Sequence, residues 1–173
     1  MYNKGGSIIS FFLGPATVIL AVPLYKQLER LKKNILPIVT GISVGCITAL
    51  TSVYLLSWLF KLTRPLYLSL LPKSITTPIG MEVSRQIGGI PPLTVAVIIL
   101  TGITGAVVGP YVCKLFRITD DVAVGIAFGT SSHAIGTTKA IELGETQGAM
   151  SALSIGVAGL ITAFLAPIVA HIL

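Results

Sequence analysis

The chain has 173 residues, a net charge of +6 and a mean hydropathy of +0.92, and only 10% of its residues are charged. Soluble domains carry roughly 25% charged residues, so a chain this poor in charge cannot coat a water-facing surface. The cations sit at the ends of apolar stretches, where lipid head groups and the cytoplasmic bias for Lys and Arg account for them; a bilayer is the expected partner, and no nucleic acid.

The charges bunch at Lys4, 26–33, 61–85, 114–121 and 139–145, leaving charge-free windows at 5–25, 35–60, 87–113, 122–138 and 146–173. A bilayer crossing takes roughly 20 apolar residues, with about 17 as the lower limit. Window 122–138 only just meets that limit and the others clear it. The pattern predicts an all-α, polytopic membrane helix bundle with about five crossings, in one domain over residues 1–173. The opening Met1-Tyr2-Asn3-Lys4-Gly5-Gly6 runs straight into apolar 7–22, so no cleavable leader is expected. Cys46 and Cys113 fit no metal spacing and read as small packing residues.

In chain order, 7–25 is apolar but interrupted by Gly14-Pro15 and by Pro23. Proline removes a backbone donor and clashes with the preceding turn, so a broken helix is expected at Gly14, Pro15, Ala16 and Thr17. The basic stretch 26–33 belongs in the cytoplasm. Window 35–60 is a crossing with small residues, among them Gly41-x-x-x-Gly45, a helix-packing pattern that admits a homo-oligomer. In 66–89, Pro72 and Pro78 bracket Lys73, Ser74, Thr76 and Thr77. No uninterrupted crossing fits there; a re-entrant hairpin, or a pair of short helices dipping toward the midplane, does. Gly88-Gly89-Ile90-Pro91-Pro92 reads as a turn. Window 93–113 is a further crossing with Gly102, Gly105 and Gly109 on its packing face. Thr119 is the expected cap of the next helix, with Asp120 and Asp121 at its positive end. Residues 149–173 form the last crossing.

The most unusual stretch is 129–138, which holds two glycines, five hydroxyl residues and His133 in ten positions. Unpaired backbone in hydrocarbon costs several kcal/mol per group, so irregular chain survives there only beside a polar cavity or buried in protein. A second helix break is therefore expected here. Sliding the sequence by 115 residues lays Gly14 on Gly129 and Gly41 on Gly156. The matching order of break, charged stub and Gly-bearing crossing predicts inverted repeats with a solute between the two breaks.

Several motifs together resemble the LrgB/CidB family: Gly-Pro-Ala-Thr-Val at 14–18, Ala-Val-Pro-Leu-Tyr-Lys-Gln at 21–27, Leu-Pro-Lys-Ser-Ile-Thr-Thr-Pro-Ile at 71–79, Ile-Gly-Gly-Ile-Pro at 87–91, Thr-Gly-Ile-Thr-Gly-Ala at 101–106, Ser-His-Ala-Ile-Gly-Thr at 132–137 and Glu-Leu-Gly-Glu at 142–145. The resemblance implies a multi-pass protein of the bacterial inner membrane, made with a small LrgA/CidA-type membrane partner. It also implies hydrophobic segments ahead of the Tyr-Asn-Lys-Gly-Gly motif at which this sequence begins. The family's names imply antiholin-like control of murein hydrolase export and autolysis. Its relatives, the plastid glycolate/glycerate translocator and bacterial pairs associated with pyruvate uptake, imply transport of small monocarboxylates.

On the transport reading, half-helix N-termini at the two breaks supply free N–H groups and partial positive charge to a carboxylate. Thr17, Ser131, Ser132, Thr137 and Thr138, around Gly136, supply hydroxyl donors; the alternative is that these hydroxyls cap back onto their own helices. His133 carries a coupled proton or bonds a neighbouring backbone group. Lys73 and Lys139 face the acid or snorkel to head groups. Glu82 and Glu142 are expected to pair with Arg85 or Lys139 and so fix the half-helices. No nucleophile–base pair, phosphate loop or metal cluster is spelled out, so no enzyme, cofactor or metal is expected.

Overall fold

The computed structural model describes residues 25–26 and 28–171, and every described element is helical. The short α1 (Leu28–Lys33) leads into α2 (Ile35–Leu59); α3 (Arg64–Leu70) and α4 (Thr77–Ile87) follow, then α5 (Pro91–Leu115), α6 (Asp121–Leu143) and α7 (Glu145–Ala170). Among the described residues α2, α5 and α7 are long and apolar enough to cross a membrane. The expected break at 14–17, and the crossing that holds it, lie outside the described residues.

Local chemistry sets the boundaries. Gly88, at φ 87°, closes α4 in the left-handed conformation that glycine adopts without a Cβ penalty. Pro91 and Pro92 then open α5 at positions where a missing N–H costs nothing. The cap of α6 is Asp120 rather than Thr119: its side chain accepts from the Ala123 amide at 2.8 Å.

α6 is not a crossing. It doubles back at His133, whose φ of 43° and ψ of −139° interrupt the helix. A straight helix would hold Gly125 and Ile141 about 24 Å apart. Both instead reach the start of α7: a Cβ on Gly125 would lie 2.5 Å from the Gln147 carbonyl oxygen, and one on Gly148 would lie 3.1 Å from Ile141 Cα. Gly129 and Thr137 likewise both meet Ser151. The two arms, 121–132 and 134–143, therefore pack side by side, with Val124, Phe128 and Ala140 in one apolar cluster. The crossing expected at 122–138 is thus a helical hairpin, and the irregularity expected over 129–138 shrinks to one residue.

The stretch 64–87 is a second hairpin, with its tip at 71–76. A Cβ on Gly80 would lie 3.3 Å from the Pro72 carbonyl oxygen, and one on Gly89 would lie 3.0 Å from the Ser69 nitrogen, so the arms run antiparallel. A buried polar knot ties its base to α5. Thr94 Oγ1 lies 2.7 Å from Ser84 Oγ and 3.0 Å from the Ser69 carbonyl, and the Ile90 amide donates to Ser69 Oγ at 2.8 Å.

The hairpins enter from opposite ends. The base of the first lies by the end of α7, where Tyr67 donates to the Val169 carbonyl at 2.8 Å. The base of the second lies by the start of α7, where Gln147 donates to Asp121 at 2.7 Å. Each is followed by a long helix, α5 or α7, running away from its base. Among the described residues 64–115 and 121–170 thus follow one plan, hairpin then long helix, in opposite directions; the early segment that the 115-residue slide superposes on 129–138 lies outside the described residues. α2 braces both hairpins: Leu50 and Val53 pack with Tyr67, Leu71 and Ile75, while Ile38, Ile42 and Cys46 pack with Ile126 and Met150. In lipid, close fit rather than water exclusion drives such contacts, and the small Ala149, Ala158, Ala166 and Ala170 of α7 permit it.

Candidate functional site

The two hairpin tips meet at the middle of α5. Gly80, just past the first tip, packs on Ile98 Cδ1, and the His133 ring reaches the Ile98 carbonyl, 2.8 Å from Nε2. A carbonyl only accepts, so Nε2 carries the proton and donates. The ring lies flush on α5, where a Cβ on Gly102 would stand 2.7 Å from Cε1. The bland reading of His133 as a backbone-bonded histidine is what the geometry holds.

A groove of about 520 Å³ runs beside these tips, between α5 and the first arm of α6. Near the tips it is lined by Lys73, Thr101, Thr104, Ser131 and Ser132, with Val97 and Leu100 beside them. Farther along α5 its walls are Val108, Val112, Ile118 and Phe128. Gly105 and Gly109 let the arm approach; a Cβ on Gly109 would lie 2.6 Å from the Phe128 ring. No lining residue comes from the base of the first hairpin, which the Ser69–Ser84–Thr94 knot fills.

Lys73 is the one charged residue lining the groove. Its Nζ donates to the Oγ of buried Ser74 at 3.2 Å. Among the described residues no carboxylate pairs with it; the ion pairs are Lys26–Glu145, Arg85–Glu82 and Lys139–Glu142. A half-buried ammonium without a counter-charge is costly, and an anion beside it relieves that cost. Of the hydroxyls in the same lining, Ser131 Oγ donates back to the Ala127 carbonyl of its own helix at 2.7 Å and lies 2.9 Å from Ser132 Oγ.

The other expected residues are distributed differently. Thr137 donates to the His133 carbonyl at 2.9 Å and faces Ser151 Oγ at 2.7 Å, on the α7 side away from the groove. Thr138, exposed, bonds back to the Ala134 carbonyl at 3.3 Å. Gly136 is pressed against Ser132 of the opposite arm. Thr76 is the residue before α4 and makes no side-chain cap, Thr77 is the first residue of α4, and neither lines the groove. Lys139 pairs with Glu142 at 2.7 Å, and Arg85 pairs with Glu82, each three residues apart within one helix. Those pairs secure single turns on exposed faces and do not join two half-helices. Gly14, Pro15, Ala16 and Thr17 lie outside the described residues.

Thr101 and Thr104 were not among the expected site residues. Their signal was present in Thr-Gly-Ile-Thr-Gly at 101–105, where hydroxyls alternate with glycines inside a crossing.

The comparisons agree on one family. The model of the LrgB-like family matches residues 1–172. The proteins YwbG and YxaC of Bacillus subtilis are 43% and 40% identical, over 96% and 97% of this chain and 74% and 73% of their own lengths. The antiholin-like protein LrgB of the same organism is 39% identical over 96% of this chain and 72% of its own length. No solved structure matches the chain. With three membrane-length apolar helices among the described residues and a family match along nearly its whole length, this is a membrane protein and a member of the LrgB-like family.

Proposed function

We propose that the chain is the LrgB-type, multi-pass subunit of an LrgA/LrgB-type system in the bacterial inner membrane, and that its groove binds and carries small monocarboxylates of the pyruvate, glycolate or glycerate type. The protein is a carrier on this reading, not an enzyme. The observation behind it is Lys73, a cation that no carboxylate among the described residues pairs with, held at a hairpin tip in one lining with Ser131, Ser132, Thr101 and Thr104. Both hairpins are re-entrant on this reading, dipping from opposite faces so that their tips meet at mid-depth, the arrangement in which transporters place a solute between broken helices. The arms, about 18 Å and 15 Å for 121–132 and 134–143, suit that depth and are too short to cross.

A second reading is favoured by the names of relatives, which speak for it more directly than any comparison speaks for transport. Several curated relatives are called antiholin-like protein LrgB. On that reading the chain regulates murein hydrolase export and autolysis, acting with an LrgA-type partner or as an oligomer through its exposed apolar helix faces.

Proteoliposomes holding the full-length protein and its LrgA-type partner separate the two. Saturable uptake of radiolabelled pyruvate, glycolate or glycerate, lost in Lys73→Met, supports the carrier. Leakage of a trapped dye that rises steeply with protein density and ignores Lys73→Met supports the antiholin-like reading and overturns the carrier.

A further inference from the structure

The plan shared by the two hairpins is also written in the sequence. A slide of 56 residues lays α2 on α5, and Leu59-Phe60-Lys61-Leu62-Thr63 on Leu115-Phe116-Arg117-Ile118-Thr119. The two links turn alike. Lys61 has φ 50° and Arg117 φ 54°, and the Leu62 and Ile118 amides donate to the Ser57 and Cys113 carbonyls, both at 2.9 Å. The slide also lays Ile79-Gly80 on Ile135-Gly136, and Gly88 on Gly144, the glycines that close α4 and α6. Two repeats, 35–88 and 91–144, therefore point opposite ways, and their hairpin tips correspond residue by residue.

At the tips Ser74 falls on Thr130 and Lys73 on Gly129. Both hydroxyl residues are buried, 7% and 6% exposed. Their surroundings correspond too: Lys73 shares a lining with Thr101 of α5, and Thr130 meets Gly45 of α2, the residue that the slide lays on Thr101. What the hydroxyls bind differs. Ser74 Oγ receives the Lys73 ammonium at 3.2 Å. Thr130 Oγ1 makes no hydrogen bond among the described residues, although Ser131, Thr137 and Thr138 all bond back to carbonyls of α6. A buried hydroxyl left unmade is costly, and a bound ion or water removes that cost.

We propose that Thr130, with the carbonyl end of the first arm of α6, binds a small alkali cation, sodium, which does in the second repeat what the Lys73 ammonium does in the first. The arm stops at the break at His133, so its last carbonyls lack the amides of a further turn and that end is negative. In transporters built from inverted repeats, half-helix ends of this kind coordinate the coupling ion. Calcium and magnesium sites rely on carboxylates, and none falls within 122–141; neutral oxygens suit a single charge. Thr130 and Ser131 are chain neighbours, one meeting α2 and the other lining the groove. A cation at Thr130 thus adds positive potential behind an acid held at Lys73. Its role as coupling ion rests on the carrier reading; the site does not.

The test uses the purified full-length protein with its LrgA-type partner, in sodium chloride against choline chloride of equal strength. Radiolabelled sodium is expected to bind saturably to the wild type and to raise its thermal midpoint. Thr130→Val, close in shape, should lose both effects and still melt no lower than wild type in choline, because the hydroxyl that it removes is unmade there. Thr130→Ser should keep both. No saturable sodium binding, binding that survives in Thr130→Val, or a valine variant destabilised equally in both salts overturns the site; the hydroxyl is then structural or holds water. In proteoliposomes sodium should raise pyruvate uptake about tenfold in the wild type and not at all in Thr130→Val. Uptake indifferent to sodium overturns the coupling. Intact sodium binding with no uptake of pyruvate, glycolate or glycerate in either salt upholds the site and fails the carrier reading instead.

Discussion

Gly105 of α5 stands so close to Ser132 of the second hairpin that a Cβ placed on it would overlap the serine hydroxyl. Gly105→Ala is therefore expected to push the first arm of α6 off α5, lowering the thermal midpoint in detergent and weakening anion binding at the groove. Gly156 is the internal comparison, since nothing stands within 4 Å of a Cβ there. Gly156→Ala should raise stability by up to about 1 kcal/mol through helix propensity. Equal effects of the two substitutions would contradict the packing described.

The backbone at His133 carries strain that a side chain makes worse. Both His133→Ala and His133→Gly lose the bond to the Ile98 carbonyl, but only glycine accepts φ 43° freely. His133→Gly is expected to be more stable than His133→Ala by about 1–3 kcal/mol, the cost of a strained residue. Matching melting curves for the two variants would mean that the chain does not turn at this residue.

Asp121 and Gln147 provide a direct measure of the reversal, since their side chains meet at 2.7 Å. Were the 23 residues of α6 straight, the two would stand about 35 Å apart. Cysteines placed at both positions, in a background lacking Cys46 and Cys113, should be joined by a short bifunctional thiol reagent, read as protease-resistant linkage on a gel. Absence of linkage with both thiols labelled would rule out the hairpin.

The knot below the first hairpin is buried and fully bonded. Thr94→Val strips Ser84 and Ser69 of their partner and should cost about 1–3 kcal/mol, the penalty of buried groups left unmade. Thr94→Ser keeps the hydroxyl and should recover most of that loss in the same unfolding measurement.

Membrane class, the glycine-rich face of α5 and the punctuation at Pro72 and Pro78 were legible in the sequence, because each rests on composition or on a residue with a fixed backbone habit. The meeting place was half legible: Lys73, Ser131 and Ser132 line the groove, while the break expected opposite them, at 14–17, lies outside the described residues. The reversal at 133 escaped because histidine carries no turn signature; only contacts from α5 and α7 hold it there. Its traces were Gly125, which reads as an ordinary small residue, and Gly129 and Gly136, which mark a break but show no reversal until the surfaces facing them are known. Thr137 shows the same limit: a hydroxyl beside a break predicts a donor, and whether it points to a cavity or to Ser151 depends on which arm bears it.

The turn at His133 also dictates an order of biogenesis. On the proposed re-entrant reading its arms have no lipid-stable state alone, since exposed irregular backbone is not tolerated in hydrocarbon. The walls that shelter it are α5, made earlier, and α7, which leaves the ribosome afterwards. The insertion machinery therefore cannot release 121–143 sideways as a finished piece; it has to retain the segment until α7 emerges. A nascent chain arrested before Glu145 is accordingly expected to be cleared by quality-control proteolysis, whatever the solute or partner of the mature protein.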